Sequence, residues 1–170
     1  MLNLFLVTPD HTHAEAAIDY VKEHRAFGEM RLIGTGGLYR AETYGEWLSQ
    51  VASIPVFFAC RGIDSRIVGM INIRRQLSEV MRHEGGHIGY GVRPSERRQG
   101  YATCMLALGL AECQRLGIHP VLVTCDQENT ASRKTIERNG GCFENIVTAQ
   151  DGRVVRRYWF VSGSSIGIPN

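Results

Sequence analysis

With 170 residues, 44% of them hydrophobic, the chain is long enough for one well-packed domain, or a domain with a small appendage. Its formal net charge of +2 is too small to bring nucleic acid to it by bulk electrostatics, so any anion binding has to come from local clustering. No apolar run approaches the ~20 residues that span a bilayer, and the opening "MLNLFLVTPD" lacks the basic flank and cleavage site of a signal peptide, so the expectation is a soluble, cytoplasmic protein with no membrane partner.

In chain order, "LNLFLVT" has the apolar density of a strand. It feeds a helix in "TPDHTHAEAAIDYVKEHRAF", with Thr8 or Asp10 as N-cap and apolar spacing at Ala14, Ala17, Ile18 and Val21. After the glycines of "IGTGG", Tyr44, Trp47, Leu48 and Val51 share one helical face. "IPVFFACRG" and "RIVGMINIRR" read as strands of an antiparallel hairpin turning at "GIDS". "QLSEVMRHEGG" fits a short helix or a loop, and "HIGYGVRP" is a strand stopped by Pro94.

From Gly100 to Leu116, the residues Met105, Leu106, Leu108, Ala111 and Leu116 mark a helix closed by Gly117. "HPVLVTCD" has the continuous apolar run of a central strand, "ENTASRKTIERNGG" is a helix, and "CFENIVTAQDGRVVRRYWFVS" is a hairpin turning at Asp151-Gly152, followed by the loop "GSSIGIPN". No repeat or linker divides the chain. One α/β (α+β) domain over residues 1–170, with a largely antiparallel mixed sheet, is the economical expectation.

The loop "RPSERRQGYATCMLALGL" carries the first chemical signal. A loop that enters a helix leaves N–H groups without intrahelical partners, and these with the helix dipole suit phosphate. Gly100 and Ala102 let a diphosphate approach the backbone, while Arg97, Arg98 and Gln99 add charge and donors. Solvated arginines beside a turn glycine would look the same.

The neighbouring segments decide between these. "GHIGYGVRPSERRQGYATCMLALGLAECQRLGI" followed by "VLVTCDQENTASRKTIERNGG" resembles the Gcn5-related N-acetyltransferase (GNAT) family, whose R/Q-x-x-G-x-G/A signature falls on Arg97-Arg98-Gln99-Gly100-Tyr101-Ala102. The resemblance implies a largely antiparallel twisted sheet with splayed central strands. It also implies acetyl-CoA as co-substrate, with its pyrophosphate on residues 97–102 and the adjoining Thr103. Asn129 and Ser132 match the residues that touch the cofactor arm, and Lys134 a basic residue near the cofactor phosphates. The resemblance is firm over about residues 86–145; acceptor-side elements are expected at about 10–85 and in the C-terminal hairpin 142–162.

A pantetheine arm is a chain of amides that main-chain groups hold only where a strand edge is unpaired. Gly89 and Gly91 weaken pairing of their strand, so Tyr90 and Val92 are expected to offer backbone contacts to the arm. An N–H near Tyr90 or Gly91 is then expected to polarise the thioester carbonyl. The base candidates are His87 and Glu84, with His87 ahead because an unperturbed pKa of about 6.5 suits a base near neutrality. The Tyr that many members place seven residues after the Asn is Ile136 here, leaving Tyr158, Tyr90 or water as the acid.

Other features weigh less. His11 and His13 stand two apart and face opposite ways on a helix, and Cys60, Cys104, Cys113, Cys125 and Cys142 contain no C-x-x-C, so neither a metal nor a disulfide framework is expected. Cys125 reads as a small buried hydrophobe rather than an acyl carrier. The functional expectation is an N-acetyltransferase acting on the primary amine of a small molecule or peptide, with a homodimer admitted. The alternative is a non-catalytic acyl-CoA-binding or sensing module. Glu42, Glu46, Glu79 and Glu84 could attract a cationic amine, although solvated helix faces explain them equally well.

Overall fold

In the computed structural model, which describes residues 2–161, the elements run β1 (Leu4–Val7), α1 (Ala14–Ala26), α2 (Tyr44–Val51), β2 (Val56–Arg61), β3 (Ile67–Ile73), β4 (Ile88–Val92), α3 (Tyr101–Arg115), β5 (Val121–Asp126), α4 (Thr130–Arg138), β6 (Cys142–Thr148) and β7 (Val154–Phe160). They form a four-stranded sheet, β1-β2-β3-β4, and a three-stranded sheet, β5-β7-β6. The ladders of β1 with β2, β2 with β3, β5 with β7 and β6 with β7 are antiparallel. The mixed α/β architecture expected from the sequence is therefore present. The chain divides into two compact units, residues 1–73 with 90–105, and residues 74–89 with 106–170.

The first unit is built on the hairpin β2–β3, whose seven β3 residues are all buried, as a strand covered on both faces requires. Ala17, Tyr20 and Val21 of α1 and Tyr44, Trp47 and Val51 of α2 close over it in one core with Phe58 and Met70. The α1 face differs from the expected one. Ile18 is 41% exposed, and the buried stripe is Ala17, Tyr20, Val21 and His24. Asp10 caps a 3-10 turn at His11–His13 by accepting the Thr12 N–H at 2.8 Å, and α1 proper begins only at Ala14.

The second unit holds the β5-β7-β6 sheet and residues 106–115 of α3. Its α3 face also differs from the expected one: Leu106, Leu110 and Cys113 are buried while Ala111 is exposed. Gly117 (φ +71°) and Gly140 (φ +86°) end α3 and α4 in the left-handed conformation that suits glycine. The ambiguous stretch before β4 forms a π-helical turn, Met81–Gly85. The expected loop "GSSIGIPN" lies outside the described residues, as does residue 162 of the expected hairpin.

Candidate functional site

In the first unit, the loop from β4 to α3 is shaped by left-handed backbone at Arg98 (φ +65°) and Gly100 (φ +86°). Gly100 O accepts from the N–H groups of Thr103 (3.1 Å) and Cys104 (3.3 Å), while those of Gly100, Tyr101 and Ala102 find no backbone acceptor among the described residues. Three neighbouring donors at the positive end of a 15-residue helix form an anion-binding arrangement. Arg98, Gln99 and Gly100 are exposed, and Tyr101 is buried beneath them.

The loop rests on a charged foundation that local spacing did not reveal. Glu96, 5% exposed, accepts from Arg61 Nη1 (2.9 Å) and Gln99 Nε2 (3.3 Å). Arg93, 2% exposed, meets Asp19 (2.7 Å) and Glu23 (3.2 Å) of α1. Arg97 is held by three groups: its Nε donates to Val92 O (3.1 Å), Nη2 pairs with Glu29 (2.8 Å), and the guanidinium stacks over the Phe27 ring. Burial alone would raise the Glu29 pKa, but hydrogen bonds from His24 and Arg97 outweigh it and hold the carboxyl below its usual value. Arg97 is thus committed to Glu29. Arg98 is the loop cation without an anionic partner among the described residues, an outcome that residue type alone did not distinguish.

Tyr90 and Val92 lie on β4 as expected. Gly91 is glycine because a Cβ there would stand 2.9 Å from Ile33 O, and its carbonyl is occupied by the buried Tyr20 hydroxyl (3.1 Å). Within residues 90–92, the carbonyls of Gly91 and Val92 thus each already accept one side-chain donor.

In the second unit, an isolated bridge joins Gly86 to Val123 of β5. Gly86 (φ +74°) has to be glycine, since a Cβ would lie 2.6 Å from Leu122 O. His87 donates its N–H to that same carbonyl (2.7 Å), and its Nδ1 accepts the Leu122 N–H (2.9 Å). The side chain therefore completes a backbone pairing. Burial, with the charges of Arg82 and Arg74 acting in the same direction, holds the His87 pKa below its ordinary value. With the Nδ1 lone pair in use, neutral His87 carries its proton on Nε2 and has no free lone pair for an amine proton. The higher rank given to His87 over Glu84 loses its basis.

Glu84 lies in the π-helical turn, half-buried, and its Oε2 accepts the Gln150 N–H at 3.2 Å. Thr124 Oγ1 is 3.1 Å from each of the carbonyls of Glu84 and Gly85, which fixes the turn against β5. A carboxylate held by one N–H keeps further lone pairs for a proton.

Asn129 is the N-cap of α4, its Oδ1 accepting the Ser132 N–H at 3.0 Å. The matching Asn and Ser therefore meet each other at the helix start, and Lys134 is exposed one turn on. Ile136 is fully buried, so no hydroxyl faces solvent from that position. Tyr158, also fully buried, accepts from Arg156 Nε (3.0 Å) and donates to Glu137 Oε1 (3.0 Å); burial raises its pKa. Cys125 is 7% exposed and burial pushes its thiol up to about 11, an unreactive state. No group of His, Cys, Asp or Glu among the described residues could hold a metal ion, and no helix among them is long and apolar enough to cross a membrane.

The acetyltransferase (GNAT) domain family model matches residues 3–141. Among solved structures, the ribosomal-protein-S5-alanine acetyltransferase from Vibrio fischeri has a similar fold, with a TM-score of 0.75 at 12% identity and 96% of each chain covered. Mycobacterium smegmatis RimJ, solved with CoA-disulfide, gives a TM-score of 0.73 at 22% identity, covering 94% of this chain and 82% of its own. The Salmonella typhimurium acetyl transferase that modifies the N-terminal serine of ribosomal protein L7/L12 gives 0.66 at 18% identity, covering 94% and 95%. No curated protein sequence matches the chain.

Proposed function

Because the chain belongs to the GNAT acetyltransferase family, we propose that it moves the acetyl group of acetyl-CoA onto the primary amine of a small molecule or peptide by direct attack in a ternary complex. The observation that carries this reading is the start of α3, where left-handed Gly100 leaves three adjacent N–H groups without backbone acceptors among the described residues. Those groups, with Arg98 and Gln99, would receive the pyrophosphate, while Arg97 shapes the loop through Glu29. By family resemblance, Thr103 adjoins the cradle, Tyr90 and Val92 offer main-chain groups to the pantetheine arm, Asn129 and Ser132 serve the arm, and Lys134 serves the phosphates.

In the reaction, the neutral amine nitrogen attacks the thioester carbonyl carbon and the C–S bond breaks. CoA leaves as the thiolate, and the proton lost from nitrogen passes to Glu84, directly or through one water. An N–H near Tyr90 or Gly91 would stabilise the developing oxyanion. The Tyr158 proton is engaged by Glu137, so the thiolate takes its proton from water, which a good leaving group tolerates. The solved proteins of like fold that are named for ribosomal proteins support a peptide amine as the acceptor.

The test is release of free CoA from acetyl-CoA in the presence of an amine panel, with calorimetry of acetyl-CoA binding alongside. Turnover with at least one amine supports the enzyme. Tight binding without turnover replaces it with an acyl-CoA-binding module, and absence of binding removes both readings.

A further inference from the structure

The first turn of the second unit, residues 74–87, carries cations that the acetyl-transfer reading leaves unused. Arg74 is fastened twice to the strand opposite it: its N–H donates to His87 O (2.8 Å) and its Nη1 to Gly86 O (3.1 Å). Gly86 and His87 are themselves locked to β5 through both polar groups of Leu122, so the guanidinium stands on a rigid platform. Arg74 is half-buried, and burial disfavours its charged form. A guanidinium has five N–H donors, and only one of them is used by the described residues. Neither Arg74 nor its neighbours Arg75 and Arg82 forms an ion pair with a described carboxylate.

In the first unit, by contrast, half-buried Arg61 and Arg97 and buried Arg93 each have a carboxylate within 3.5 Å. A cation removed from water without an anion carries an uncompensated desolvation cost, and the remaining donors of Arg74 fit a planar, doubly accepting group. Arg82 lies on the same π-helical turn as Glu84 and is near enough for its charge, like that of Arg74, to act on His87. One short segment therefore presents guanidiniums without anions and a carboxylate with free lone pairs.

We propose that Arg74, assisted by Arg82, is a carboxylate-binding subsite for the acceptor. The preferred substrate is then an amine that bears a carboxylate close to the reacting nitrogen, as in a free amino acid or the acidic N-terminus of a peptide, rather than a polyamine. This inference rests on the acetyl-transfer reading. In it, Glu84 faces the reacting amine of the acceptor and the arginines receive its anionic end. Specificity arises by attraction of the carboxylate and by repulsion of acceptors with further cations.

The experiment measures CoA release at saturating acetyl-CoA with glutamate, the amidated peptide Ser-Asp-Glu-Asp-Gly-Gly, its neutral counterpart Ser-Asn-Gln-Asn-Gly-Gly, and spermidine. The acidic peptide or glutamate should exceed the neutral peptide and spermidine on the order of tenfold in kcat/KM, and which of the two leads identifies the source of the carboxylate. Arg82→Gln, at an exposed position, and Arg74→Gln should raise KM for the acidic acceptor and bring the acidic-to-neutral ratio toward one, with Arg74→Lys recovering part of it. Equal use of all four acceptors, preference for spermidine, or an unchanged ratio in the variants would overturn the subsite. If no acceptor turns over, calorimetric titration of the acetyl-CoA-loaded protein with glutamate and the acidic peptide decides. Binding that Arg82→Gln weakens supports the subsite without catalysis, and no binding to the wild type overturns it. Loss of acetyl-CoA binding itself would be a failure of the parent reading, visible before any acceptor is added.

Discussion

The loop at 97–102 and the turn at 81–87 are both short, charged and glycine-bearing, yet they are built by different means. The loop's key geometry is local: Gly100 takes a left-handed φ and α3 starts directly after it. The turn is assembled from afar, since the His87 ring is held by the backbone of Leu122, 35 residues on, and Glu84 by that of Gln150, 66 residues on. A binding surface made of main-chain donors can be written in a few consecutive residues. A proton acceptor cannot, because its partners decide which lone pair is free.

The largest effect expected bears on the loop. Gly100→Asp combines a strained left-handed φ with a carboxylate facing the cofactor phosphates, and should remove measurable acetyl-CoA binding while circular dichroism shows the fold retained. Unchanged calorimetric affinity in the folded variant would mean that the loop does not hold the diphosphate.

Next is the turn. Glu84→Gln should lower kcat by roughly 10²–10⁴ with acetyl-CoA affinity preserved, because a base acts in the transition state. The variant should also lose the acidic limb of the pH–rate profile. If Glu84→Gln stays active and His87→Asn does not, the roles are reversed.

His87 sharpens the contrast further. His87→Ala leaves the buried Leu122 N–H without its acceptor and should cost about 1–3 kcal/mol in denaturant unfolding, whereas His87→Asn can place an oxygen where Nδ1 stood and should restore most of it. The pH dependence has a definite sign. The folded pKa of His87 lies below its unfolded value, so its contribution is complete above about pH 6.5 and is lost as pH falls through the lowered folded pKa. His24 is lowered by burial in the same direction, so His87→Asn should flatten the acid side of a melting-temperature curve only in part.

The smallest effect returns to local structure. Asn129→Ala removes the cap from α4 and should destabilise the protein by about 1 kcal/mol, read from the denaturant midpoint. A much larger loss of acetyl-CoA affinity than of stability would show that the same side chain also serves the cofactor.

Much of the architecture was legible in order along the chain. Apolar runs marked the strands, glycines marked the ends of α3 and α4, and Asp151-Gly152 marked the last hairpin turn. The errors lay in which helical face is buried. Ile18 and Ala111 are apolar yet exposed, while His24 and Cys113 are inside, because the packing partner selects the face and spacing offers several. The arginine-glycine loop before α3 could be located from its residues, but the different surroundings of its arginines could not, since Arg97 is claimed by Glu29 from 68 positions away.

The amino-acid sequence by itself determined the glycine-led entry to α3, the order of strands and helices, and the absence of a tyrosine at position 136, because each depends on backbone preference or residue identity within a few positions. Only the tertiary structure decided that the His87 ring completes a backbone pairing with Leu122, that Glu84 accepts a single N–H, and that Arg74 has no carboxylate partner among the described residues. Those properties belong to hydrogen-bond partners and solvent exclusion, which long-range chain contacts create.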